Sequence, residues 1–194
     1  MASGAVATPI SRLEISDHAD GAIVMVLASS GAASRLSSHP VWVRGIGWAN
    51  DSPSLESRIW TRAVYAERAA AMAYKMAGIA RPADEIQFAE VDDTYAFKEL
   101  QHLEALGLLA PGRAGALTMD GATGPQGTLP VNVSGGSLGG GNLLEANGLA
   151  RALEVVLQLR GQAGARQLGR VSTGLAQAWR GVPTTSGAVA VLSS

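Results

Sequence analysis

Asp92 and Asp93, followed by Thr94 and Tyr95, stand directly after a short apolar run. Two adjacent carboxylates can divide acid and base work only when their surroundings split their pKa values. The competing role is structural, with one of them capping the helix that follows. Tyr95 could donate a hydrogen bond or act as a general acid, or it could be a core aromatic with a satisfied hydroxyl. Further on, a glycine-rich stretch from Gly135 to Gly141 leads into Asn142. Glycines let a backbone approach a ligand closely and adopt positive φ. A helix beginning there would offer unpaired N–H groups to an oxyanion. Tight packing of the loop under a sheet is the alternative. The spacing of Gly136 and Gly141 fits a phosphate loop, but Asn142-Leu143 stands where Lys and Ser/Thr are required. The dinucleotide-binding spacing fails as well. Asn142 has two competing roles. With Glu145 three residues on, it reads as a capping box; alternatively its amide points at a thioester or ketone oxygen.

The three histidines carry little signal. His18 and His39 fall in connectors, and His102, beside Gln101, reads as lying on the wet face of a helix. None has metal-ligand spacing. Asn132-Val133-Ser134 is a glycosylation sequon in form only.

The elements that must position these residues alternate between strand and helix, the α/β pattern. Residues 21–28 (GAIVMVLA) read as a buried strand, and 41–48 (VWVRGIGW) as a second. A helix is expected from about Leu55 to Ala77, capped by Ser52 or Ser54 and ended by Gly78. Its apolar residues are Trp60, Val64, Met72 and Met76. Pro82-Ala-Asp is a turn, 85–91 a strand, and 96–106 a helix stopped by Gly107. Residues 108–130, rich in Gly and Pro, form a long functional loop. A helix over 143–160 carries Leu149, Leu153, Val156 and Leu157 on one face. The last strands fall at 171–179 and 188–192, separated by 180–187.

The chain has 194 residues, a net charge of −1, 16% charged and 47% apolar residues, 24 glycines and no cysteine. It can bury a real core, so wholesale disorder is excluded. Near-neutral charge argues against nucleic-acid binding as the main task. No apolar run approaches a membrane span, and the opening MASGAVATPISRLE lacks the features of a signal peptide. Without cysteine there is no disulfide, zinc–thiolate site or thiol nucleophile in this chain. These features predict a cytoplasmic protein that binds no metal.

The order of segments resembles the C-terminal half of the thiolase family, most of all its sterol-carrier-protein and archaeal branches. SDHADGAIVMVLAS looks like the last strand region of the N-terminal half, and PVWVRGIGWANDS like the first strand of the C-terminal domain. EVDDTYAFKELQHLEALGL resembles the stretch around the family's H-D-C-F motif. VNVSGGSLGGGNLLEANGLARALEVVLQLRGQAG resembles the stretch around its G-H-P motif, and PTTSGAVAVL the closing turn and strand. The resemblance implies an α/β thiolase fold, layered α-β-α, with a five-stranded mixed sheet. It divides the chain into residues 1–36, from the N-terminal half, and a C-terminal thiolase-like domain over 37–194. Asp92 replaces the first motif's His, Asp93 matches its Asp, and Thr94 and Tyr95 replace its Cys and Phe. Asn142 replaces the second motif's His, and the C-terminal acid/base Cys has no equivalent near 184–187.

By resemblance, Asn142, Asp92, Tyr95 and Asp93 are the candidate catalytic residues. Gly135, Gly136, Gly141, Ser186 and Gly187 form the candidate oxyanion and substrate loop. Asn142 cannot take a proton near neutral pH, but its amide can donate to an oxyanion. The resemblance implies a CoA thioester as substrate, with no cofactor bound by this chain. It implies a separate chain carrying the N-terminal half with the nucleophilic Cys. A small zinc-ribbon/OB-fold subunit that binds acyl-CoA is a further partner. Three functions follow. The chain is a subunit of a heteromeric thiolase-like enzyme acting on a C–C bond of an acyl-CoA; or a retro-aldolase subunit acting on a β-hydroxyacyl-CoA, although that type's tyrosines at the two His positions are absent; or a non-catalytic subunit completing a partner's site.

Overall fold

The computed structural model describes residues 4–182 and 185–194. The first three residues, and Pro183 and Thr184 of the closing turn, lie outside the described residues. A small antiparallel pair, β1 (Ala5–Ala7) and β2 (Ile10–Ser11), opens the chain, followed by helix α1 (Ser30–Leu36). The domain proper runs β3 (Trp42–Asn50), α2 (Val64–Ala77), α3 (Pro82–Glu85), β4 (Phe88–Glu90), α4 (Ala96–Ala105), α5 (Ala114–Met119), α6 (Gly136–Gly140), α7 (Asn147–Leu159), β5 (Thr173–Arg180) and β6 (Ser186–Ser193).

The sheet has the order β3-β6-β5-β4, antiparallel except where β4 lies parallel to β5. Each face has its own core. Ala69, Ala73, Leu103, Leu175 and Val189 join on the side of α2 and α4, and Phe88, Val155, Leu159, Ala176 and Leu192 on the side of α7. This is the expected α-β-α layering. The expected fifth strand is reduced to one parallel bridge, Val131 beside Ala89. Pro130 brings no N–H to a ladder. Asn132 turns away at φ 49° while its side-chain oxygen takes the next N–H, that of Val91, at 2.8 Å.

Helix α2 lies close on β3 because both surfaces are small. Gly45 and Gly47 face it, and a Cβ on either would strike the carbonyl oxygen of Ala73 or Ala69. The buried stripe of α2 is Tyr65, Ala66, Ala69, Ala70, Ala73 and Tyr74. The apolar face expected there is therefore displaced. Met72 and Met76 are exposed, Trp60 lies before the helix, and the predicted first half of that helix is only a single turn at Leu55–Ser57. Gly78 does end α2, in the left-handed conformation.

Three further expectations are corrected. Residues 21–28 form no strand, and Val24, Val26 and Leu27 are each more than 80% exposed. An apolar run makes a buried strand only beside a partner strand, and none of the described residues supplies one. The long loop contains helix α5. Helix α7 begins at Asn147 rather than 143, so Asn142 is not its cap; its buried face carries Arg151, Glu154 and Gln158 as well as Val155, and Leu149 is exposed. Among the described residues no helix is long and apolar enough to cross a membrane.

Candidate active site

A cavity of about 760 Å³ opens at the carboxyl ends of β3 and β5, beside the loop that follows β4. This is the end of an α/β sheet where ligands are usually bound. Asn142, Tyr95, Ser186 and Gly187 line it, together with Lys98, Tyr65, Arg58 and Trp179. Gly187 is required by packing, since a Cβ there would meet the Tyr65 ring at 2.7 Å.

Asn142 is held from both sides. Its backbone N–H donates to Asp17 at 2.6 Å, and its carbonyl accepts from Ala19 at 3.0 Å. Gly141 passes Ala19 so closely that a Cβ would lie 2.5 Å from it, and its φ of 92° also favours glycine. The Asn142 side-chain oxygen accepts from the Leu144 N–H (2.8 Å) and from Nδ2 of Asn147 (2.6 Å). Asn147 is itself fixed by the Leu143 N–H at 2.8 Å. With its oxygen occupied, Asn142 has its Nδ2 donors unpartnered among the described residues, on the cavity wall. The amide is thus oriented as a donor.

The strand-like segment that holds Asn142 also touches Tyr95. Ile15 bridges to Tyr95, and the Ser16 N–H donates to Thr94 at 3.0 Å. The Tyr95 ring stacks on Phe97 at 5.8 Å and meets Trp179 edge-on at 6.3 Å. Its hydroxyl has no partner among the described residues. One turn on, the Lys98 ammonium sits 4.7 Å from the centre of the Trp179 ring and donates to Gln101 Oε1 at 2.6 Å. Burial pulls the Lys98 pKa below its usual value, against the opposing charges of Asp92 and Asp51.

His102 is fully buried, not on a wet face. It shares the inward side of α4 with Leu106, four residues on, a spacing visible in the sequence. A carbonyl can only accept, so Nδ1–H donates to Asp92 O at 2.9 Å, and Nε2 accepts from the Tyr65 hydroxyl at 2.8 Å. Burial drives the His102 pKa down to about 3, keeping the ring neutral, and raises that of Tyr65.

The two aspartates lie beneath the cavity rather than on its wall. Asp92 is 1% exposed, with Oδ1 accepting from Thr94 N–H at 3.1 Å and Oδ2 3.0 Å from Arg151 Nη2. Asp93 accepts the Ser137 and Leu138 N–H groups at 2.7 and 3.2 Å, with Arg151 at 3.4 Å. Arg151 also donates to Val91 O and Ser137 Oγ. The N–H groups that open α6 therefore already hold an anion, the chain's own Asp93 carboxylate. Gly135 and Gly136, both at positive φ, shape that clamp, and a Cβ on Gly136 would strike Asp93. The structure thus gathers Asn142, Tyr95, Ser186 and Gly187 around the cavity. It puts Asp92, Asp93, Gly135 and Gly136 in a buried support, with Gly141 joining the two. Among the described residues no cluster fit to hold a metal ion occurs.

Residues 47–194 match the thiolase C-terminal domain-like family. The chain belongs to that family. It is 37% identical to the acetyl-CoA acetyltransferase of Methanothermobacter thermautotrophicus, covering 90% of this chain and 45% of that protein. It is 31% identical to the 17-hydroxy-3-oxo-4-pregnene-20-carboxyl-CoA lyase of Mycobacterium tuberculosis, covering 93% of this chain and 46% of that one. The solved structure of the Ltp2-ChsH2(DUF35) aldolase superposes with a TM-score of 0.84 at 25% identity, over 99% of this chain and 49% of that one. The chain spans about half the length of these relatives.

Within this thiolase-type domain, sequence reasoning missed Lys98, Tyr65 and His102. Lys98 had a signal: of the 15 basic residues only Lys75 and Lys98 are lysines. Tyr65 had none, because its place on the cavity depends on the close approach of α2 to Gly187.

Proposed function

We propose that this thiolase-type domain takes part in cleaving a C–C bond of an acyl-CoA thioester by a retro-aldol route, on a β-hydroxyacyl-CoA. The observation that carries the proposal is the orientation of Asn142. Its amide oxygen is consumed by Leu144 and Asn147, so its N–H donors are offered to the cavity. A fixed amide donor stabilises the enolate oxygen that develops on the thioester as the bond breaks. The Tyr95 hydroxyl is a second donor on the same wall. Retro-aldol cleavage needs no thiol nucleophile, and this chain has no cysteine. Support also comes from two relatives, one an aldolase and one a carboxyl-CoA lyase by name.

The Claisen route is the second reading, favoured by the similarity to an acetyl-CoA acetyltransferase. It requires the nucleophilic Cys from the N-terminal half, which we place on a separate chain seated against residues 21–28 and the open edge of β3. An acyl-CoA-binding zinc-ribbon/OB-fold subunit is proposed as a further partner. In this scheme residues 1–36 complete the N-terminal half and 37–194 form the C-terminal domain. Asp92 and Asp93 act by fixing the Tyr95 and Asn142 backbones.

The test uses the chain purified with the subunits it binds natively, incubated with β-hydroxyacyl-CoA thioesters and analysed by mass spectrometry. A ketone or aldehyde plus a shortened acyl-CoA is expected. Asn142→Ala should lower kcat about 10²–10³-fold while still co-purifying with its partners. Products that form only with added free CoA would favour the Claisen route, and an undiminished rate in Asn142→Ala would remove that residue from the site.

A further inference from the structure

Lys98 stands out on the cavity wall. Its ammonium lies over Trp179, with the Phe97 and Tyr65 rings at 5.7 and 5.8 Å. It makes no ion pair among the described residues. One N–H goes to Gln101, whose own amide is anchored on the Trp60 carbonyl at 3.1 Å, and the ammonium has no other hydrogen-bond partner among the described residues. A chain that uses arginine for 13 of its 15 basic residues places here one of its two lysines. Arginine keeps its proton at any working pH, whereas lysine in an apolar setting can release and regain one. The groups facing Lys98 are the carboxylates Asp51 and Asp92, the cations Arg58 and Arg62 on the same cavity, and the neutral Tyr65–His102 pair.

We infer that Lys98 is the catalytic acid and base of this cavity, moving the proton of the β-hydroxyl in C–C cleavage. The inference rests on the retro-aldol reading above. The neutral amine takes the hydroxyl proton, and the O–H pair becomes the new C=O bond. The Cα–Cβ bond breaks, and its pair passes through Cα to the thioester oxygen opposite Asn142. The enolate then recovers a proton at Cα from the Lys98 ammonium. The amine ends neutral, no proton is gained or lost overall, and no oxidant or reductant is needed. Burial by the three rings supports the role, because it favours the neutral amine.

The natively purified complex is assayed with a β-hydroxyacyl-CoA across pH for the unsubstituted chain, Lys98→Met, Lys98→Arg and Lys75→Arg. Both Lys98 variants should lose about 10²–10⁴-fold in kcat, with KM changed less than about threefold. The pH-rate limb belonging to the lysine should disappear. Lys75→Arg, exposed on α2, should be unchanged. Lys98→Arg keeps the positive charge but cannot yield the proton, so activity restored by arginine would overturn the role in favour of simple charge stabilisation. Turnover and pH profile preserved in Lys98→Met would overturn the role alone. No ketone or aldehyde from the unsubstituted complex would overturn the retro-aldol reading and the role with it. Co-purification and thermal midpoint of each variant separate loss of chemistry from loss of fold.

Discussion

At the residue scale, two buried ionisable groups have opposite effects on stability. Glu90 is fully buried against Ser134, which donates to it through N–H and Oγ–H at 3.1 and 2.5 Å, and burial lifts its pKa to about 7. Below its ordinary value both the folded and unfolded forms are protonated. As pH rises toward 7 the unfolded chain ionises first, so Glu90 progressively destabilises the fold. His102, held neutral down to about pH 3, works in the other direction: the unfolded chain takes a proton first as pH falls below about 6.5, and stability declines toward acid. Glu90→Gln removes the ionisation and keeps one acceptor oxygen for Ser134. Its stability gain over the unsubstituted chain, read from urea midpoints, should grow by about 2 kcal/mol between pH 5 and pH 8. An equal gain at both values would mean that Glu90 does not titrate as its burial requires. His102 should give the nitrogen NMR pattern of a neutral Nδ1–H tautomer at pH 5; an imidazolium signal there would contradict the hydrogen-bond assignment.

At the element scale, the close approach of α2 to β3 sets the cavity wall, because it carries Tyr65 to Gly187. Gly47→Ala forces backbone apart from backbone, as the obstruction is the Ala69 carbonyl rather than a flexible side chain. A loss of about 1–3 kcal/mol is expected, measured as a lowered thermal midpoint; an unchanged midpoint would show that α2 can shift freely. Much of this layer was legible in the sequence. The strand over 41–48, the helix over 96–106 with its Gly107 stop, and the glycine-rich approach to Asn142 are all present. What was not legible has a physical cause in each case. The inward face of α7 mixes Val155 and Leu159 with polar residues, Arg151 serving the two aspartates and Glu154 serving Arg166, so apolar periodicity alone did not locate it. The α2 stripe is built of alanines, which periodicity weighs less than Met72 and Met76. Asp92 and Asp93 looked like an acid–base pair because a sequence does not reveal that both side chains are buried and share one arginine, Arg151.

At the scale of the whole molecule, large apolar side chains are exposed on several elements. Val24, Val26 and Leu27 project from an unpaired segment; Val43, Ile46 and Trp48 lie along the open edge of β3; Leu149 faces out from α7. A surface of this kind marks an interaction site, and an unpaired strand edge is a template for pairing. Val26→Asp combined with Leu27→Asp should leave the domain's own fold and circular dichroism intact, since neither side chain enters a core cluster. The same change should abolish co-elution on size exclusion with the separate N-terminal-half chain proposed above. Retained co-elution would place the partner elsewhere.

The most direct measurement is the product spectrum of the native complex with a β-hydroxyacyl-CoA and no free CoA. A stoichiometric ketone or aldehyde and a shortened acyl-CoA, suppressed by Asn142→Ala, is the result expected of a thiolase-type site that holds an enolate with a fixed amide donor. Cleavage that requires free CoA, or that continues undiminished in Asn142→Ala, would contradict it.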